Sequence, residues 1–572
     1  MEKIKKLKEI FNEERIDGYI ITKNDEFFGE YIPEHNDRLR YISNFTGSYG
    51  FALILKNKNY LFVDGRYTLQ AHSQAGKFFS IITFPNKMPK DILKNRRLVI
   101  GFDPKLFTKN IFGIFFGKNN CKFKPINNNL VDKIWKRKIK TYKNYFYQLS
   151  DSSKSESYKS KINKIVSNLK KKGADFQFIT ASENNAWLFN IRGHDSIYTP
   201  IPHSHTLIDK NKNIKFFCDL NKISSSLRKK LDKIEFTKNE FLKKILSKIK
   251  DKKFIIDKNT CSFYFEKLIS KNNQILNLND PIYFLKALKS KKEIENIKTA
   301  HIYDGAALTK FLFWLKKNFR SKKITEISAS KKLYNFRKNN KKFKSLSFPT
   351  ISGSGPNAAI IHYKPNKKTD RKLKKGDIYL VDSGGQYEFG TTDVTRTISL
   401  DNSNNRIKNI FTRVLKGHIA VADYKLKKNT SGSQIDILAR KYLRKIGLDY
   451  AHGTGHGVGY FLNVHEGPHA ISKNNKIKFK EGMIVSNEPG YYEKNKFGIR
   501  IENLIYVKKF KQRNIFESLT MAPIDKELIN KKLLSLEEKR WLNNYHKKVF
   551  RGIKDFMIKN ELSELKKACS VI

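Results

Sequence analysis

The sequence predicts an α/β protein built of several domains, and three observations carry that prediction. Short β-rich runs alternate with helical patterns through the first half of the chain. The text changes character near residue 285. Beyond that point, glycine-punctuated strands hold most of the acids and histidines of interest. A chain of 572 residues has the length of roughly three or four domains. Its hydrophobic fraction of 39% and aromatic fraction of 13% suffice for packed cores, which argues against general disorder.

Within residues 1–150 the runs GYIIT, FALILK, NYLFVDG and RRLVIGFD read as strands, with a helical pattern at RYTLQAHSQA. The polar stretch SDSSKSESYKS opens a second unit, residues 151–287, with a helix at KINKIVSNLKKKG and a strand at DFQFITA. Both units run helix, strand, polar turn, aromatic helix (LRYISNFTGS against NAWLFNIRG), the pattern of a degenerate internal repeat. From residue 285, LKALKSKKEIENIKTAHIYDGAALTKFLFWLKK reads as two long helices opening a third unit, residues 288–510. Charged helix, LSLEEKRWLNNYHKKVFRGIKDFM, then fills a C-terminal extension over residues 511–572.

The net charge of +60 is spread along the chain, with Lys mixed among Asn, Ile and Phe as in KKLYNFRKNNKKFKSL. A nucleic-acid or anionic-membrane surface expects clustering, so neither is anticipated as a specific partner; AT-rich coding accounts for such a mixture. No apolar run approaches the roughly 18 residues of a membrane span. The opening MEKIKKLKEIFNEERIDGYIIT is charged and amphipathic, unlike a secretory leader. Cys121, Cys218, Cys261 and Cys569 are far apart and form no CxxC pair, as reduced thiols of a cytoplasmic protein would be.

Four of the thirteen histidines (His452, His456, His465 and His469) fall among five glycines in AHGTGHGVGYFLNVHEGPHA. Alone, the stretch suits either a polar surface loop or a metal or catalytic site. The acids decide. In GDIYLVDSGGQYEFGTTDVTRTISL, two strands joined through glycines place Asp382 at the end of one and Asp393 early on the next. Each could be a turn acid, but carboxylates facing each other across a hairpin repel, and a bound cation is the simplest remedy. EGMIVSNEPGYY adds Glu488 after an apolar strand, and FGIRIENLIYV adds Glu502 inside another.

Asp382, Asp393, His456, Glu488 and Glu502 make a mostly oxygen ligand set with one imidazole. Such a set favours Mn²⁺, with Co²⁺, Fe²⁺ or Zn²⁺ also admissible. Four carboxylates exceed what one divalent ion needs, which points to two ions roughly 3.5–4 Å apart and to metal-assisted hydrolysis by a bridging hydroxide.

The motifs LVDSGGQY, TTDVTRT, HGTGHGVGYFLNVHEGP, SNEPGYY, GIRIEN and SGPNAAIIHY together resemble the aminopeptidase P (Xaa-Pro aminopeptidase) group of pita-bread metallohydrolases, which also holds methionine aminopeptidase, prolidase and creatinase. Weaker likeness at VDGRYTLQA, AWLFNIRG and WLNNYHKKV extends the resemblance over nearly the whole chain, in the long three-domain form. It implies two creatinase-like N-terminal α/β domains before a pita-bread catalytic domain. By position, Asp382 resembles a terminal ligand of one metal, His456 and Glu488 ligands of the other, and Asp393 and Glu502 the bridges. His362 and His465 resemble histidines that meet substrate, so that with Glu488 they are the catalytic candidates. His452 resembles a wall of the pocket beyond the scissile bond, and Arg500 an orienting partner of the carboxylates; His469 remains as loop. The resemblance further implies peptide substrates with proline second and a homodimer. Two alternatives stand beside it: a prolidase-like Xaa-Pro dipeptidase, and a non-catalytic binding protein, which the intact ligand set disfavours.

Overall fold

Runs rich in Ile, Phe and Tyr build two six-stranded sheets in the first half of the chain, each with the same plan. In the computed structural model, which describes residues 2–137, 144–321, 323–401 and 403–572, the first sheet has the spatial order Ser80–Phe84, Asn59–Asp64, Phe51–Leu55, Gly18–Thr22, Val99–Phe102, Lys122–Pro125. The second runs Ile234–Lys238, Ile214–Cys218, His205–Asp209, Phe176–Ile179, Lys253–Ile256, Gln274–Asn277. Counted in sequence order within its own sheet, each reads 4-3-2-1-5-6. The pairings agree too: strand one is antiparallel to two and parallel to five in both sheets.

The aromatic helices Arg38–Ser43 and Ser182–Leu188 occupy equivalent positions between strands one and two. Asn44 and Asn190, just past them, both take the left-handed backbone (φ 64 and 55) that asparagine tolerates. The internal repeat read from the sequence is therefore present in the topology. Alternate residues of the first sheet feed cores on its two faces: Tyr19, Ile21 and Leu61 on one side, Ile20, Leu53 and Phe62 on the other.

By packing, the chain divides into two compact units: Met1–Ser150 with Glu156–Tyr283, and Asp151–Ser155 with Phe284–Ile572. The second unit thus includes a short strap from much earlier in the chain. Its backbone carbonyls are gripped by side chains of the unit: Lys292 Nζ donates to Asp151 O at 2.8 Å and Tyr460 Oη to Ser153 O at 2.9 Å.

The two long helices expected at the start of this unit become one. A seven-residue helix, Pro281–Ala287, is followed by a single 28-residue helix, Lys291–Asn318. Ser290 and Glu293 form a reciprocal cap that starts the long helix, a signal present in the text SKKE. Around it lie a three-stranded antiparallel sheet (Ile351–Ser354, Ile378–Ser383, Val394–Ser399) and a six-stranded sheet that includes Gly455–Gly457, Glu466–Ile471, Ile484–Asn487 and Asn503–Phe510. Helices Asn405–Ala422 and Leu536–Ile553 bury Phe411, Val414, Leu415, Leu542 and Val549 in a shared core. Among the described residues no helix is long and apolar enough to cross a membrane.

Candidate metal centre

The hairpin of Ile378–Ser383 and Val394–Ser399 sets Asp382 opposite Thr395, so Asp393 lies just beyond the paired strands on the same side. Thr395 Oγ1 donates to Glu502 Oε2 at 2.8 Å, and Glu502 N donates to Thr395 O at 3.2 Å. That pair of bonds ties the Glu502 segment to the hairpin. Asp393 and Glu502 are buried and within side-chain hydrogen-bonding reach of each other. Burial first, and then the neighbouring carboxylates, push both well above the ordinary carboxylate range. Burial and Asp382 likewise raise Glu488, against His456 and Arg500, which lower it.

His456 comes from the other sheet, on the strand Gly455–Gly457. Its Nδ1–H donates to Gly457 O at 3.0 Å, which fixes the tautomer and leaves the Nε2 lone pair free. Nε2 then stands 3.5 Å from Asp393 Oδ2 and 3.4 Å from Glu488 Oε1. A lone pair aimed at carboxylate oxygens calls for a cation between them. One ligand atom each from Asp393, His456 and Glu502 lies within 4.8 Å of the others. Asp382 Oδ1 is buried and takes no hydrogen bond, an oxygen left over for a metal. The donor set, hard oxygens with one imidazole nitrogen, fits a pair of divalent ions.

Arg500 ties the acids to the rim. Its Nη2 donates to Asp382 Oδ2 at 2.7 Å, its Nη1 to Tyr492 Oη at 2.6 Å, and its Nε to Thr395 Oγ1 at 3.1 Å. Tyr492 Oη, having accepted from Arg500, donates to His452 Nε2 at 2.9 Å, while His452 Nδ1–H donates to Gly453 O at 2.7 Å. The His452 ring packs 4.8 Å from Tyr450 and 5.5 Å from Tyr492, an aromatic wall stiffened by the Arg440 guanidinium 3.9 Å over Tyr450. His465 lies edge to face with His456 at 4.2 Å. His362 sits half-buried beside Ile361, whose carbonyl accepts from Arg500 Nη1 at 3.4 Å.

The structure corrects the reading of His469 as loop. It lies on the strand Glu466–Ile471, 1% exposed, and its Nε2–H donates to Ile484 O at 2.6 Å; burial lowers its pKa to about 4, so it is a neutral core histidine. The glycines of this stretch have a structural reason of their own. A Cβ on Gly455 would fall 1.8 Å from Ser486 O, and one on Gly457 2.2 Å from Glu466 O, so they admit neighbouring strands.

Three residues escaped sequence reasoning: Thr395, Ser486 and Tyr492. Ser486 accepts from His456 N at 2.9 Å and donates to Glu488 Oε1 at 3.0 Å, bridging two of the proposed ligands. Its position two before Glu488, at the end of a strand, was a usable signal.

The chain is similar to known proteins over nearly its whole length. Residues 295–509 match the model of metallopeptidase family M24, and 514–572 that of the C-terminal region of peptidase M24. Residues 3–134 and 138–293 each match a creatinase/prolidase N-terminal domain. The probable Xaa-Pro aminopeptidase P of Laccaria bicolor is 36% identical over 579 residues, covering 95% of this chain and 89% of its own. Xaa-Pro aminopeptidase 1 of Dictyostelium discoideum is 35% identical, covering 96% and 92%. The crystal structure of the X-prolyl aminopeptidase of Caenorhabditis elegans, described as a cytosolic enzyme with a di-nuclear active site, superposes with TM-score 0.95 at 31% identity, covering 100% of this chain and 99% of that one.

Proposed function

Because the chain belongs to metallopeptidase family M24, we propose that it is a two-metal Xaa-Pro aminopeptidase, releasing the first residue of peptides whose second residue is proline. The observation that carries this is the convergence of Asp393, His456 and Glu502 within 4.8 Å, with Asp382 and Glu488 alongside. Asp382 would hold one ion, His456 and Glu488 the other, and Asp393 and Glu502 both. Mn²⁺ suits the hard carboxylates best. When bound, the ions supply Lewis acidity that polarises a carbonyl and makes water a nucleophile near neutral pH.

The chain's own groups do the rest. Glu488, beside the water's place, takes the proton that water gives up. His362 and His465 donate to the substrate carbonyl oxygen as negative charge develops on it. The wall of Tyr450, His452 and Tyr492 suits a proline ring, whose tertiary amide brings no N–H to satisfy. Acidic groups beside the metals receive the substrate's free α-amino group. The reading extends to a cytoplasmic setting, supported by the cytosolic C. elegans relative and four free cysteines, and to a homodimer, which the resemblance alone supports.

The test is metal-depleted protein, reloaded with Mn²⁺, offered Xaa-Pro-Xaa, Xaa-Ala-Xaa, N-acetylated Xaa-Pro-Xaa and Xaa-Pro peptides. Cleavage confined to the free Xaa-Pro-Xaa peptide is expected. Equal cleavage of the alanine or acetylated peptide overturns the assignment, and cleavage of the dipeptide alone turns it to a prolidase.

A further inference from the structure

Glu466, directly after His465, is one of the most enclosed carboxylates of the catalytic unit, its side chain 1% exposed. Lys289 Nζ donates to its Oε1 at 2.5 Å and Lys286 Nζ stands 3.6 Å from its Oε2; both lysine side chains are also 1% exposed. Burial would raise Glu466, but Lys289 and Lys286 hold it below the ordinary carboxylate range. Three buried charges are a costly filling for a core, and apolar side chains of similar volume often serve stability as well or better. What such a cluster does provide is fixed geometry.

That geometry bears on the metal centre. Glu466 pairs with Gly457, the residue after His456, and the register of the two strands shifts between His456 and Gly457. Its backbone therefore joins the chain neighbour of His456 to His465, the two histidines whose rings meet at 4.2 Å. Its carboxylate also packs under the turn that joins them, with Oε2 only 3.0 Å from where a Cβ on Gly459 would lie. Lys289 is anchored in turn. Lys289 N donates to Gly482 O at 3.1 Å, and Ser290 next to it caps the 28-residue helix. A rigid helix start is thus coupled through Lys289 and Glu466 to the backbone of His465.

We propose that Glu466, clamped by Lys286 and Lys289, is a positioning residue that sets the His465 imidazole against His456 for its contact with substrate. The inference rests on the aminopeptidase reading above. Its test is a double-mutant cycle on Mn²⁺-loaded protein with an Xaa-Pro-Xaa peptide, alongside metal content by elemental analysis and melting temperature. Glu466→Gln is expected to keep its metal and lower kcat about 10- to 100-fold, the scale for groups that orient metal-site side chains, with KM little changed. Combined with His465→Ala it should be no slower than His465→Ala alone, because the two act as one unit.

Losses that multiply in the double variant overturn the proposal. So does a Glu466→Gln protein that melts lower or holds less metal while each loaded site turns over at the wild-type rate. If Glu466→Gln does not fold, Lys289→Met takes its place in the cycle: no added loss beside His465→Ala supports the proposal, and multiplied losses overturn it. Wild-type protein that cleaves no Xaa-Pro peptide overturns the activity itself, and the positioning role with it.

Discussion

Arg500 and Asp382 are joined by a 2.7 Å hydrogen bond that fixes one carboxylate oxygen and leaves the other, Oδ1, without a donor. The same guanidinium reaches Tyr492 and Thr395, a fork that an ammonium group cannot reproduce. Arg500→Lys should therefore weaken metal binding by about 10- to 100-fold, as loss of a partner to a metal-holding group does. Titration of chelator-treated protein with Mn²⁺ reads this directly; unchanged affinity would remove Arg500 from that role.

Asp393 and Glu502 crowd each other with little countercharge, so each should trade stability against function. Asp393→Asn or Glu502→Gln is expected to abolish turnover and lower metal content, since no nearby neutral group replaces a charge shared by two dications. Stripped of metal, either variant should melt above stripped wild type, because buried repulsion has been relieved. Wild type should gain more from added Mn²⁺, a ligand at 100 times its Kd being worth about 2.7 kcal/mol. Full metal occupancy with full activity in either variant would contradict the two-metal centre.

His362→Ala and His465→Ala should bind metal normally and lose about 10²–10³ in turnover, the scale for one donor that acts as charge develops. Elemental analysis next to kcat separates this from ligation. An emptied metal site in either variant would mean that His456 is not the sole histidine ligand.

Asp304 and Arg337 form a two-pronged ion pair, at 2.8 and 2.9 Å, with side chains no more than 2% exposed, and Tyr387 adds a 3.0 Å bond to Asp304. Arg337→Met leaves a carboxylate buried without its partner, which should cost about 3–5 kcal/mol of stability. Asp304→Leu combined with Arg337→Met should recover much of the loss, because both charges leave together. Denaturant unfolding of the three proteins checks the order; equal stability of Arg337→Met and wild type would refute it.

Much of this was legible in the residues. The strand runs GYIIT and FALILK appear at Gly18–Thr22 and Phe51–Leu55, because a sheet buried on both faces writes itself as continuous apolar text. Asp382, Asp393 and Glu502 stood out as acids within or beside strand-like runs, where a carboxylate needs a partner; the structure puts Asp382 on its strand and Asp393 and Glu502 just before theirs. His469 misled because it shares its glycine-rich text with His456, and which histidine faces the acids depends on strand register, a long-range property. Thr395 and Tyr492 were silent for a related reason: their importance lies in bonds to Glu502 and Arg500, made across 107 and 8 positions of chain. The strap at Asp151–Ser155 read as the polar opening of the second unit, since its contribution is made by backbone carbonyls that every sequence possesses.

That strap has a consequence for how the protein is made. Tyr460 and Ser153, bonded to each other, are separated by 307 positions. During synthesis at about 5–20 residues per second, the strap leaves the ribosome at least about fifteen seconds before its tyrosine does. The sheets of the first unit can close in that interval, but their chain must keep five residues out of its own fold, waiting for a surface that has not been translated. Such long closures come late, after their loop entropy has been met by other contacts. The metallopeptidase unit thus holds a piece synthesised before any of its helices.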